Sequence, residues 1–204
     1  MPGSSLHDAL YAQRAIRHFD PRPVPAPVLE RIVGAAVRAP SGSNSQGWAF
    51  LLVQESGLKA QLAAWYQDVW ENVYTKVPGR AQGAVGRSAE YLAYHLADAP
   101  VLVLPFLRRS NPAGGPSPMS RGASIYPAVQ NLMLAALDEG VGSVITTFLQ
   151  HHEAKVKELL GVPPEWEMAC CVPLGYPGEG EHFGGARRRP AAEVMHFERW
   201  GNQD

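Results

Sequence analysis

The chain has 204 residues, 46% of them apolar and 18% charged, with 18 Lys and Arg against 19 Asp and Glu and a formal net charge of -1. That length buries the core of one domain or two small ones. The near-neutral balance removes any molecule-wide electrostatic case for nucleic acid or an acidic membrane. The two cysteines, Cys170 and Cys171, are neighbours and lack zinc-site spacing, so they read as small buried hydrophobes in a strand. The opening MPGSSLHDALYAQR has no basic segment ahead of an apolar one. No apolar run approaches the roughly 18 residues of a membrane span. The expectation is a cytoplasmic protein.

Leu6 to Arg14 read as a short helix with Leu6, Leu10 and Tyr11 on one face. FDPRPVPAP, four prolines in nine residues, forces an extended connection. From Val28 the residues Leu29, Ile32, Val33, Ala36 and Val37 keep helical spacing, and Pro40 stops the helix. A polar loop, SGSNSQ, then leads into WAFLLV (48–53), which reads as a strand buried on both faces. Residues 56–97 read as helical with a break at VPGRAQGAVG. APVLVLPFL (99–107) is a second strand, whose Pro105 predicts an edge position or a bulge. RRSNPAGGPSPMSRG (108–122) reads as a loop.

Ser124 is placed to cap the next helix, with Pro127 in its first turn. Ile125, Val129, Leu132, Met133, Ala136 and Leu137 make that helix apolar nearly all round and hence central, and Gly140 ends it. GSVITTFL (142–149) is a β-branched strand, and Val156, Leu159 and Leu160 lie on a short helix closed by Gly161. EMACCVPLGYP is the last core strand, followed by the glycine-rich basic loop GEGEHFGGARRRP and the tail AAEVMHFERWG. Without repeats or a domain-scale linker, residues 1–204 are expected to form one α/β or α+β domain.

No metal-ligand spacing, GxSxG, GxGxxG or P-loop pattern occurs. A nucleotide cofactor would therefore be held by cationic side chains. Two clusters are available: Arg14 with Arg17, which would project from one side of a helical turn, and Arg187 to Arg189. Arginine forks match phosphate oxygens, and the plain alternative for either cluster is solvated surface charge. Ser41, Ser43, Asn44, Ser45 and Gln46 offer hydroxyls and amides suited to a heterocycle edge. The alternative there is a turn facing water.

Together these segments resemble the FMN-dependent nitroreductase family: RAIRHFDPRPVP, RAPSGSNSQGWAFLLV, AVQNLMLAALDEGVGSVITT, CVPLGYP and RRRPAAEVMHFERW occur in the family's order. The resemblance implies an α+β fold with a central, mainly antiparallel sheet flanked by helices. It also implies a homodimer with extended terminal segments and an FMN cleft at the interface. Carried over, Arg14 would hold the phosphate, Arg17 would lie at the pyrimidine side, and Ala15 stands between them. Pro40, Ser41, Gly42 and Asn44 would contact the ribityl and ring system. Arg188 would bind phosphate, with Arg187 and Arg189 as rivals, and Thr146 and Thr147 would present backbone amides to flavin N5. The variable, lid-like segments are about 56–97 and 108–119.

The implied activity is ping-pong transfer of hydride from NAD(P)H, through FMN, to a nitroaromatic, quinone or similar acceptor, with no side-chain acid or base and no metal. The alternatives are a non-catalytic FMN store, or another flavin reaction on the same fold: dehalogenation, dehydrogenation or flavin fragmentation. Gln13 and Ala15 depart from the usual Arg and Ser, Gly47 replaces a common Pro, and Thr-Thr-Phe replaces a Glu-Gly near N5.

Overall fold

The computed structural model describes residues 5–109 and 118–202 of the chain. Its organising element is the strand β2, Val101–Arg108, in which Val101 through Phe106 are all buried. Successive side chains of a strand point to opposite faces. Leu102, Leu104 and Phe106 enter one core, while Val101 and Val103 enter another. A strand buried on both faces needs a helical layer on each side. On the first face lie α3, Ser56–Val69, and α4, Gly83–His95, which contribute Leu62, Tyr66 and Leu92. On the second lie α2, Ala26–Ala36, and α6, Tyr126–Asp138. These two pack through Leu29, Ile32 and Ala36 of one and Val129, Leu132 and Ala136 of the other.

Strand β1, Trp48–Val53, runs antiparallel to β2 with Trp48 opposite Leu107 and Val53 opposite Leu102; it was expected to be buried on both faces, but it lies at the sheet edge and only Val53 is buried. On the other side β2 pairs antiparallel with β4, Trp166–Met168, and β5, Val172–Gly175. A two-residue β3, Gly142–Ser143, pairs antiparallel with β5. The expected antiparallel sheet between helices is therefore present.

Pro105 is not at an edge, but the expected bulge is there. Phe106 faces Met168 and Val103 faces Val172, so two residues of β2 oppose the three residues Ala169, Cys170 and Cys171. The Pro105 carbonyl accepts from the Ala169 N–H at 2.9 Å. An N–H at residue 105 would point to that same side, into the bulge, where the ladder is already interrupted. The expected last strand is thus β4 and β5 separated by this bulge.

Other expectations change too. The strand read over 142–149 stops at Ser143, because Thr147 (φ -116, ψ 7) leads into a 3-10 turn over Phe148–His152. Ser124 does not cap α6; its Oγ accepts from Gly42 N–H at 3.0 Å instead. Helix α1, Leu6–Ala12, carries a capping box between Ser5 and Asp8 and ends two residues earlier than expected. Helix α3 continues into a wider turn over Trp70–Tyr74 before the expected break. A five-residue helix α5, Pro118–Gly122, occupies the end of the expected loop 108–122, of which 110–117 lie outside the described residues. Helix α7, Glu153–Leu160, closes on Gly161 in the left-handed region (φ 66), as expected.

Candidate functional site

After α1 the chain turns extended at Gln13. Ala15 forms a parallel bridge with Ser143, and Ile16 N–H donates to Ser143 O at 3.0 Å. Arg14 and Arg17 therefore do not share a helical turn. They lie on an extended segment, where a spacing of three sends side chains to opposite sides. Arg14 Nη1 lies 3.1 Å from His182 Nε2 and donates to Gly184 O at 3.2 Å. Arg17 Nη1 donates to Ser88 Oγ on α4 at 3.4 Å. Both arginines are half-buried, and among the described residues no carboxylate lies within ion-pairing distance of either.

The segment is held from both sides. Towards the sheet, Ile16 is fully buried, and a β-carbon on Gly142 would stand 2.8 Å from its Cβ, so only glycine admits this approach. Towards the glycine-rich loop, Gly178 N–H donates to His18 O and Gly184 N–H to Ala12 O. The Glu181 carboxylate accepts the backbone N–H groups of Arg17 and His18, each at 3.3 Å. Glu181 and His182 were not singled out in the sequence, because nothing in a glycine-rich loop's pattern ties a carboxylate to a segment 164 residues away.

Thr146 and Thr147 lie beside this segment, just beyond β3. Thr146 exchanges two main-chain hydrogen bonds with Cys171, at 2.9 and 2.8 Å. Its Oγ1 lies 3.0 Å from the hydroxyl of buried Tyr66 on α3. Burial pushes the Tyr66 phenol up to about 12, opposed first by the hydrogen bond with Thr146 and less by the charge of Arg17. Thr147 is exposed, and its N–H has no acceptor among the described residues. The helical stripe Leu62, Tyr66 and Val69 was the available signal for Tyr66, since a phenol on a buried face needs a partner.

The polar loop forms a second cluster. Ser43, Asn44 and Gln46 all have positive φ, at 53°, 52° and 47°. Three non-glycine residues there are a concentration of backbone strain of the kind found at binding sites. Ser41 Oγ accepts from Gln46 N–H at 2.9 Å, and Asn44 Oδ1 accepts from Gln46 Nε2 at 3.3 Å. Pro40, Gly42 and Asn44 are exposed and Ser41 is half-buried.

The structure brings Arg14, Ala15, Arg17, Thr146 and Thr147 into one neighbourhood. It joins the Ser41–Asn44 loop to the start of α6 through Ser124, with no hydrogen bond between the two clusters among the described residues. Arg187, Arg188 and Arg189 are exposed, and Arg188 Nη1 donates to Arg187 O. Neither a cavity of about 180 Å³ beside Tyr126 and Gln150 nor an apolar cleft of about 320 Å³ between β1 and the α7–β4 turn includes a predicted residue. Chemically, the first cluster offers two cations and an N–H that have no counter-ion or acceptor among the described residues, together with a hydrogen-bonded hydroxyl. That donor set fits a ligand with an anionic end and a flat polar edge.

The Nitroreductase family model matches residues 10–176. The chain belongs to the nitroreductase family. It is 31% identical to the iodotyrosine deiodinase of Thermotoga neapolitana over 175 residues, 85% of this chain and 89% of that one. It is 28% identical to the 5,6-dimethylbenzimidazole synthase of Rhodobacter capsulatus over 182 residues, 85% and 84% of the two chains. A crystal structure of oxidized iodotyrosine deiodinase bound to FMN and 3-iodo-L-tyrosine superposes with a TM-score of 0.77 at 26% identity, covering 96% of this chain and all of that one. Among its described residues, this nitroreductase-family chain has no helix long and apolar enough to cross a membrane.

Proposed function

We propose that the protein is an FMN-dependent oxidoreductase that reductively dehalogenates a halogenated phenol-like aromatic. The observation that carries the cofactor is the donor set: half-buried Arg14 and Arg17 without carboxylate partners, and a nearby Thr147 N–H without an acceptor, among the described residues. The likeness to an iodotyrosine deiodinase over most of both chains favours dehalogenation over the nitro- or quinone-reduction expected from the family alone. FMN, when bound, supplies an electron pair, so that Ar–X, two electrons and a proton give Ar–H and halide.

The chain's own groups orient and stabilise. Arg14 and an arginine from 187–189 hold the phosphate. Arg17 balances negative charge at the pyrimidine side. Thr147 N–H and the Thr146 hydroxyl fix the ring edge. The loop Pro40–Asn44 would contact the ring and ribityl parts, in a cleft completed by a second copy of the chain. Support for that homodimer comes from apolar side chains at both ends: Leu6 is 71% exposed, Tyr11 74% and Trp200 92%. A reduced nicotinamide is the proposed electron source.

Purified protein is expected to be yellow, to bleach with NAD(P)H or dithionite under anaerobic conditions, and to release iodide from an iodophenol. A colourless protein that takes up no FMN refutes the cofactor assignment. Bleaching without halide release, but with turnover of a nitroaromatic, refutes the dehalogenase reading and restores the nitroreductase one. FMN that binds but resists reduction marks a store. A second reading is oxygen-dependent flavin fragmentation, favoured by the likeness to the benzimidazole synthase. It predicts loss of the flavin spectrum when the reduced protein meets air.

A further inference from the structure

We propose that Tyr66 is a positioning residue that turns the Thr146 hydroxyl into a fixed hydrogen-bond donor towards the ligand held at residues 145–147, an inference that rests on the FMN-binding reading above. Tyr66 is 3% exposed, and its ring packs on Phe148 with centroids 4.8 Å apart. Its hydroxyl lies 3.0 Å from Thr146 Oγ1, and either oxygen could be the donor by distance alone. The surroundings decide between them. Among the described residues the phenol touches no other acceptor. If Thr146 donated, the phenol's own hydrogen would be buried without a partner, at a cost of about 1–3 kcal/mol. Thr146 is half-exposed, so its hydrogen can point outward at no such cost. The phenol therefore donates inward and the threonine outward.

The rest of Thr146 is already fixed. Both its main-chain polar groups are bonded to Cys171, so the hydroxyl rotor is the one freedom left for Tyr66 to set. Tyr66 is itself seated on α3 between buried Leu62 and Val69. The hydroxyl direction is thus set by a helix of the variable, lid-like segment and not by the loop that carries Thr146.

A donor fixed at the flavin edge favours the oxidised cofactor, whose N5 accepts a hydrogen bond, over the reduced form, whose N5 carries a hydrogen. The test is the two-electron midpoint potential of bound FMN in wild type, Tyr66→Phe, Thr146→Val and the double variant. Tyr66→Phe is expected to shift the oxidised-to-reduced ratio about tenfold towards reduced, about 30 mV more positive, with FMN affinity within about threefold. Thr146→Val is expected to do the same, Thr146→Ser to match wild type, and the double variant to go no further than either single. A potential unmoved by Tyr66→Phe, or additive shifts, overturns the proposal while leaving FMN binding standing. Wild type that binds no FMN overturns the functional reading and this inference with it. Should Tyr66→Phe fail to fold, a Thr146→Val potential equal to that of Thr146→Ser overturns it equally.

Discussion

Gly142→Ala tests whether the arginine segment is docked as described. The backbone is not the obstacle, since Gly142 does not adopt positive φ. The obstacle is Ile16: the new β-carbon would lie 2.8 Å from its Cβ and Cγ2 and 3.0 Å from its Cγ1. Carbon atoms rest about 3.5–4.0 Å apart. Ile16 is fully buried and β-branched, so no rotamer change clears the overlap. Overpacking of this kind costs about 1–3 kcal/mol. Relief by moving the backbone loosens the Ile16 N–H bond to Ser143 O, a further loss of about 0.5–1.5 kcal/mol. The narrower unfolded ensemble of alanine returns about 0.4–1 kcal/mol. The expected net is a destabilisation of about 2 kcal/mol, read from urea unfolding with an unchanged m-value. FMN affinity should fall about tenfold in the folded fraction, because Arg14 and Arg17 flank Ile16. A variant as stable as wild type, with equal FMN affinity, refutes the docking of this segment against β3.

Asn44→Ala is expected to raise the FMN dissociation constant about tenfold, or about 1.4 kcal/mol. Arg188→Ala should also weaken retention, and Ser45→Ala should stay within about twofold; fluorescence-quenching titrations separate the three. Glu181→Ala leaves the part-buried N–H groups of Arg17 and His18 without their acceptor. Thermal and urea unfolding should show a loss of about 1–3 kcal/mol, with Glu181→Gln losing less because its carbonyl still accepts. Burial pushes Tyr66 from 10.0 up to about 12 and Cys170 from 9.0 up to about 12, and raises Cys171 as well. The folded state therefore holds protons that the unfolded chain releases, so stability is full below pH 9 and falls between pH 9 and 12. Denaturation midpoints across that range should decline less steeply in Tyr66→Phe, by about 1.4 kcal/mol per pH unit above pH 10.

The layers of the fold were legible because local pattern and tertiary burial agree there. Leu29, Ile32 and Ala36 repeat at helical spacing and are the buried face of α2. The apolar run 99–107 read as a strand, and β2 occupies it; burial on both faces was expected of the run 48–53 instead, and it belongs to β2 because β1 lies at the sheet edge. The two pieces of the site that depend on distant partners were not legible. Arg14 and Arg17 looked like neighbours on a helical turn; Ser143 and Glu181 hold them extended instead. Ser124 had the pattern of a helix cap, yet its hydroxyl bonds Gly42, 82 residues away. The β-branched run 144–147 favours extended backbone. It forms only a single bridge, because just past Thr146 the chain turns into the 3-10 segment.

Pro105 links the fold to the site. A proline in a central strand leaves one ladder position without a donor, and the opposing chain answers with an extra residue. That bulge carries Cys171 out of the β2 ladder. Its backbone groups pair with Thr146 instead. Thr146 is then anchored at the point where β3 has ended, and the exposed Thr147 that follows has an N–H with no acceptor among the described residues. Were the strand 166–175 regular, residue 171 would pair along β2 and the Thr146–Thr147 turn would lose its two main-chain anchors. The sequence feature that marks the site is thus as much the proline in the central strand as the arginines that flank the ligand. Restoring a donor there with Pro105→Val tests the link. If the bulge heals, Thr146 is released and FMN affinity falls while stability holds; if affinity is unchanged, the bulge does not position the site.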